Sequence, residues 1–319
     1  MRQIGVMSVL LLALLACKES ETKREEATEA PPDTKGAPTL AEARKGFVTK
    51  LEGPVDREDG PVAAPEAPFT VVKYTSKVGE LEAYVTTDPG DGKQHPAILW
   101  ITGGDYGSIG DVWSERPRDN DQSAAQYRKA GLVMMFPSMR GGNENPGRPE
   151  GFFGEVDDVI AAADVLAKQP YVDPKRVYLG GHSTGGTLAL LVAECTDRFR
   201  AVMSFGPVED PRGYGQPKWA PYSAENPSEW RLRAPSIWLH GVKSPTFVIE
   251  GAKGGNIESL EYMQKRTTNP ALHFIPVANA THFSVLAPAN EVIAKKLLAD
   301  TGETPNISIT SAELDALFK

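Results

Sequence analysis

Cysteine is nearly absent, with only Cys17 and Cys195 in 319 residues. That excludes a disulfide-stapled scaffold and the clustered Cys/His spacings of a zinc site. Positive charge is also short. Lysine and arginine number 34 against 42 acidic residues, for a formal net charge of -8. No sustained Lys/Arg stripe runs along the chain, so the electrostatic footprint of a nucleic-acid partner is missing. There is no phosphate-cradling glycine-rich loop and no internal repeat. Long apolar runs are missing as well: Val6 to Ala16 is almost entirely apolar but too short to cross a bilayer comfortably. What remains is 40% hydrophobic and 24% charged, ordinary for a soluble globular protein.

Arg2 followed by the apolar run matches a secretory signal, residues 1–16. The segment Leu14-Leu15-Ala16-Cys17 resembles a bacterial lipoprotein lipobox. The resemblance implies cleavage before Cys17 and lipid attachment to its sulfur. The chain would then be anchored in a bacterial cell envelope, on the periplasmic or outer surface, since several acyl chains hold a protein stably on a membrane. Residues 17–68 are rich in Glu, Lys, Pro, Ala and Thr and read as a tether with too little apolar surface to fold alone. A short helix over Leu40 to Leu51, with Thr39 as N-cap, interrupts it. Cys195 follows an apolar run and reads as a small buried hydrophobe.

Residues 69–319 read as one catalytic domain. Phe69–Thr75, Leu81–Thr87, His95–Ile101, Leu132–Pro137, Arg176–Leu179, Ala201–Phe205, Thr246–Ile249 and Leu272–Val277 are strand-like. Several are continuously apolar and alternate with helical patterns over Gly154–Gln169, Thr187–Glu194, Ile257–Gln264 and Glu291–Leu298. Such alternation predicts an α/β fold, a mostly parallel sheet with helices on both faces. Between them Pro207–Pro235 is irregular and carries Tyr214, Trp219, Tyr222 and Trp230. A loop of that length is either a lid over a site or a packed surface excursion. The tail from Thr301 reads as a short strand, Ile307–Thr310, and a helix, Ser311–Phe318.

The chemistry gathers around Gly181-His182-Ser183-Thr184-Gly185-Gly186. The motif follows a strand and opens a helix. A sharp strand-to-helix turn would lift the Ser183 hydroxyl to the end of the sheet, where helix N–H groups face a developing oxyanion. Ser183 is thus the expected nucleophile. The base should follow the last strand, and His282 lies on the loop after Leu272–Val277. His95 and His273 sit at strand starts, the wrong end of a parallel sheet, and His182 is caught inside the turn. Acyl transfer also needs two oxyanion donors. The backbone of Thr184 is one, and the loop after His95–Ile101 offers Gly104 or Asp105, with the Tyr106 hydroxyl as a weaker choice.

These residues, with Pro170–Arg176 and Arg140-Gly141-Gly142, resemble the catalytic domain of the prolyl-oligopeptidase superfamily and its dienelactone-hydrolase-like relatives. The similarity covers roughly Phe69 to Asp300 and implies an α/β-hydrolase fold. It implies ester or peptide-bond hydrolysis on a small-molecule substrate, without metal or organic cofactor. The family expects an Asp soon after the penultimate strand, but Glu250-Gly251-Ala252-Lys253-Gly254-Gly255-Asn256 has none. Glu250 ends that strand and is the preferred acid. Asp210, after the preceding strand, is the alternative, and Glu258 a third choice. The reading is a lipid-anchored serine hydrolase, an esterase or peptidase. An acyltransferase using the same site, or a non-catalytic binding lipoprotein on a hydrolase scaffold, are its rivals.

Overall fold

The computed structural model describes residues 36–53, 59–215 and 220–319. The signal segment, Cys17 and Trp219 lie outside the described residues. Eight strands form one sheet in the order β1-β2-β4-β3-β5-β6-β7-β8. They are β1 (Phe69–Ser76), β2 (Gly79–Thr86), β3 (His95–Ile101), β4 (Val133–Pro137), β5 (Val172–His182), β6 (Val202–Phe205), β7 (Thr246–Gly251) and β8 (Leu272–Val277). From β4 across to β8 all pairing is parallel, and β2 runs antiparallel to both β1 and β4. The fold is that of an α/β-hydrolase. Every residue of β4, β6 and β7 is buried, as strands covered on both faces must be.

Each face of the sheet carries its own apolar core. Helices α3 (Glu155–Leu166), α4 (Thr184–Cys195) and α5 (Ile257–Lys265) cover one, through Val156, Val159, Leu188, Leu191, Leu260 and Met263. Helices α2 (Ala125–Ala130) and α6 (Leu286–Ala299) cover the other, with Tyr127, Leu286 and Ile293. Each large buried side chain contributes about 2 kcal/mol of transfer free energy, so these layers hold the sheet flat against its helices. Cys195 is half-buried beside Arg44, and its thiol is pushed up to about 11 by burial.

Three elements depart from the pattern reading. Helix α6 starts at Leu286, five residues before Glu291, because Pro288 falls in its first turn, where no N–H is needed. Helix α2 shows no sequence periodicity worth six residues; the side chain of Asp121 starts it by accepting from the N–H groups of Ser123 and Ala125. Residues 307–310 join no strand. Instead Ile309 and Leu314 plug the second core, and Ser311–Asp315 forms helix α7 with Thr310 as N-cap.

Part of the stretch read as tether lies against the domain. Helix α1 (Leu40–Ala43) is closed by a capping box between Thr39 and Glu42, and Leu40 is fully buried in the first core. Arg44 donates to the Phe153 carbonyl at 2.7 Å and pairs with Asp157. Thr49 and the Lys50 N–H both bind the buried Glu229, and Leu51 bridges to Tyr222. The helix expected over Leu40 to Leu51 is confined to Leu40–Ala43 behind its Thr39 cap, and the residues after it are held instead by long-range hydrogen bonds that leave no periodic signal.

Candidate active site

The strand-to-helix turn at Ser183 is strained. Ser183 follows His182, the last residue of β5, and precedes α4 with φ 56° and ψ -115°, a region that non-glycine residues seldom enter. Its N–H donates to the Phe205 carbonyl at 2.7 Å, and its carbonyl accepts from Thr187 N–H at 2.8 Å. The turn is so tight that a β-carbon at Gly185 would collide with the carbonyl oxygen of Ile101. Small residues in the motif are therefore a steric requirement of the close approach between α4 and β3.

His282 and Glu250 meet at this edge. Glu250 is the fifth residue of β7 and completely buried; its Oε1 accepts the Gly251 N–H at 2.9 Å. Its Oε2 lies 2.8 Å from His282 Nδ1. The two loops that carry acid and base are laced together, Ala252 N–H to the Val277 carbonyl and Lys253 N–H to the Ala280 carbonyl, both at 2.9 Å. The C-terminal tail adds a further tie, since Asp315 accepts the Ala278 N–H at 2.6 Å. Gly206, at φ +56°, leaves the space in which the pair sits. A β-carbon there would strike Glu250 Oε2 and come within 2.8 Å of His282 Nδ1. Gly206 directly follows Phe205, whose carbonyl holds the Ser183 N–H, so the Glu250–His282 pair stands beside the Ser183 peptide.

Asp210, the alternative acid, is not brought to His282. It caps the turn Pro211–Tyr214 and forms an ion pair with Arg212 at 2.6 Å. Glu258 lies in the first turn of α5. The local reason is chain direction: β6 ends at Phe205, and after the turn at Gly206 the residues Pro207, Val208 and Glu209 carry the chain on before Asp210.

The loops after β3 and β5 carry the residues expected to form an oxyanion hole. Thr184 is the first residue of α4, and its hydroxyl donates to the Gly104 carbonyl at 2.9 Å, so the two loops offered for the oxyanion hole do meet. Gly104 adopts φ +77° and is exposed together with Asp105, whose carboxylate accepts the Gly107 N–H. The Tyr106 hydroxyl accepts the Phe152 N–H at 3.1 Å within a buried wall.

Three contacts escaped the sequence reading. Gln122 Oε1 accepts the Gly103 N–H at 3.0 Å, its amide nitrogen donates to His182 Nδ1 at 3.0 Å, and His182 Nε2 donates to the His282 carbonyl at 2.9 Å. This chain runs from the oxyanion loop to the base loop. It requires a neutral imidazole with the proton on Nε2, and burial, aided by the neighbouring His282, drives the His182 pKa down to about 3. The Tyr214 hydroxyl bonds Thr187 Oγ1 at 2.8 Å and meets the Ser183 side chain. Tyr214 also stacks on Phe152, which stacks on Tyr106, making an aromatic wall beside the nucleophile. Its pKa is raised by burial, so it stays a phenol. Proline-rich Pro207–Pro235 is thus partly an active-site wall. No signal short of its aromatic content pointed there.

Behind the wall, Glu155 is fully buried, with one oxygen accepting the Glu150 N–H at 2.6 Å and the other without a hydrogen-bond partner. Burial raises its pKa from 4.5 to about 7, against the lowering effect of Arg140. A carboxyl raised in the fold adds its stability below pH 4.5 and loses it as pH climbs through about 7. Glu155→Gln is therefore expected to raise the melting temperature by about 5 °C at pH 8 and to leave it unchanged at pH 4.5. Differential scanning calorimetry at the two pH values checks this; an equal gain at both would contradict it.

Among the described residues no group of three or more His, Cys, Asp or Glu is arranged to hold a metal ion. Residues 120–256 match the prolyl oligopeptidase family model. That span holds the Ser183 turn, Phe152 and Tyr214 of the aromatic wall, and Glu250, while Tyr106 and His282 lie outside it. Two curated relatives are similar in sequence. An uncharacterized peptidase of Bacillus subtilis, YtmA, is 27% identical over 182 residues, which are 53% of this chain and 67% of the relative. The dual-function macrocyclase-peptidase POPB of Galerina marginata is 29% identical over 216 residues, 57% of this chain but 29% of the relative. This chain is a serine hydrolase. Among solved structures, the acylaminoacyl peptidase of Pyrococcus horikoshii superposes with a TM-score of 0.58 at 14% identity, over 77% of the hydrolase and 43% of that chain. The hydrolase thus spans less than half the length of two of these three proteins. No described helix of the hydrolase is long and apolar enough to cross a membrane.

Proposed function

We propose that Ser183, His282 and Glu250 form a catalytic triad that cleaves peptide or ester bonds through an acyl-enzyme. The observation that carries the reading is the 2.8 Å contact between Glu250 and His282 Nδ1, held beside the strained turn that presents Ser183. A carboxylate on Nδ1 keeps the proton there and leaves Nε2 free to accept from a serine hydroxyl. His282 takes the Ser183 proton as Oγ attacks the carbonyl carbon. Backbone N–H groups of Thr184 and of the Gly104–Asp105 loop hold the oxyanion. His282 then gives the proton to the leaving amine or alcohol, and water resolves the acyl-enzyme. Peptides are the favoured substrates because the family match covers the whole acid–nucleophile span. The cell-envelope lipoprotein reading rests on Arg2, the apolar run and Leu14–Cys17.

Both halves are tested on the full chain expressed in a Gram-negative bacterium. A fluorophosphonate is expected to label Ser183, and the enzyme to cleave short peptidyl amides as well as p-nitrophenyl esters. The product is expected in the membrane fraction with a lipid on Cys17, and Cys17→Ala to release it. Labelling with ester turnover but no amide cleavage would restrict the function to an esterase. An unmodified Cys17 would refute the anchor.

A further inference from the structure

Three large hydrophobic side chains are exposed among the described residues: Val48, Phe283 and Leu317. Val48 lies on the N-terminal segment and Leu317 in the tail. Phe283, 44% exposed, directly follows His282. Its ring meets the His282 ring edge-on, centroids 4.9 Å apart at 79°, and lies 5.5 Å from the His182 ring. The His182 and His282 rings are 4.4 Å apart. His182 is fully buried and the His282 side chain is 12% exposed, so Phe283 is the water-facing member of this three-ring cluster.

The position is held rigidly. Thr281 N–H donates to Ser284 Oγ at 2.9 Å, Ser284 N–H donates back to Thr281 Oγ1 at 3.1 Å, and the Phe283 carbonyl accepts from Leu286 N–H as α6 begins. A fixed aromatic face turned to water beside the base is a surface already organised for stacking, with little side-chain freedom left to lose.

Which part of a substrate meets it follows from the proton path, given the triad reading above. As Ser183 Oγ bonds to the carbonyl carbon, its proton passes to His282. As the carbon–nitrogen or carbon–oxygen bond breaks, that proton passes to the departing nitrogen or oxygen. The departing group must therefore lie on the His282 side, while the wall of Tyr214, Phe152 and Tyr106 flanks Ser183 from the loop after β6. By the reverse path, an incoming water or amine that attacks the acyl-enzyme gives its proton to His282 from the same side.

We propose that Phe283 forms the leaving-group subsite and selects an aromatic or broad apolar side chain directly after the scissile bond. The test is partition of one acyl-enzyme, formed from p-nitrophenyl butanoate, between water and added amino acid amides. Wild type is expected to use phenylalaninamide about tenfold better than glycinamide. Phe283→Ala is expected to reduce that ratio below about twofold, and Phe283→Tyr to retain it. Acyl-enzyme formation is expected to slow in Phe283→Ala, since p-nitrophenol is itself an aromatic leaving group, but the partition ratio is set after that group has left and does not depend on the rate of its departure. Retention of the preference in Phe283→Ala, or equal or absent use of the amides by labelled wild type, overturns the subsite and leaves the triad standing. A folded wild type that takes no label overturns the triad and the subsite together.

Discussion

Ser183→Ala is expected to lower kcat about a million-fold and to abolish fluorophosphonate labelling, with the fold intact. The alanine removes one oxygen from a turn whose shape is set by other contacts. Its N–H still bonds the Phe205 carbonyl, and Gly185 still packs on Ile101. The strained φ of 56° is kept, because alanine suffers the same backbone cost as serine. What disappears is the attacking atom. Residual turnover would come from the oxyanion donors alone. Circular dichroism and a melting curve separate this from unfolding. A variant that still turned over within a hundredfold of wild type would show that another residue attacks, and the acyl-enzyme at Ser183 would be wrong.

The second large effect is expected from Glu250→Gln, about ten-thousand-fold in kcat, against less than twofold for Asp210→Asn. An amide at position 250 has the same size, so its Oε1 still accepts the Gly251 N–H. Its NH2 group then faces His282 Nδ1, which must become an acceptor. The imidazole proton moves to Nε2, where it blocks removal of the serine proton, the wrong tautomer for a base. The carboxylate that stabilises the imidazolium is lost at the same time. Asp210 holds only Arg212 and its own helical turn, so its amide variant changes neither term. Steady-state kinetics on one ester decides the matter. A strong defect in Asp210→Asn with a mild one in Glu250→Gln would reverse the assignment of the acid.

Much of this site was legible along the chain because its signals are local. His95–Ile101 and Leu272–Val277 are short apolar runs, and both strands have the expected bounds. Glycines around Ser183 mark a turn with no room for side chains. His282 was picked by position, as the histidine after the last strand, and it lies against Glu250 in the fold. Other parts carried no local signal. Glu250 stands at the end of its strand and Asp210 five residues past Phe205, and that position alone made Glu250 the preferred acid without ranking the two firmly. Gln122 and Tyr214 are ordinary residues in irregular segments, and their roles depend on partners 60 and 27 positions away. Thr39 and Leu40 marked a helix start, but the contacts that dock the residues after it, such as Thr49 on Glu229, have no periodicity to read.

By itself, then, the sequence determined the α/β layering, the eight strands, the strand-to-helix turn at Ser183 and the loop that carries His282. Each of these follows from hydrophobic spacing or from the backbone freedom of glycine, properties encoded within a few neighbouring residues. Tertiary structure alone decided which carboxylate reaches His282, how His182 and Gln122 couple the oxyanion loop to the base, where Tyr214 stands, and why Phe283 faces water. Those depend on side chains far apart in sequence meeting within about 3 Å. Such meetings are fixed by sheet order and by space left at Gly206, which no window of the chain contains.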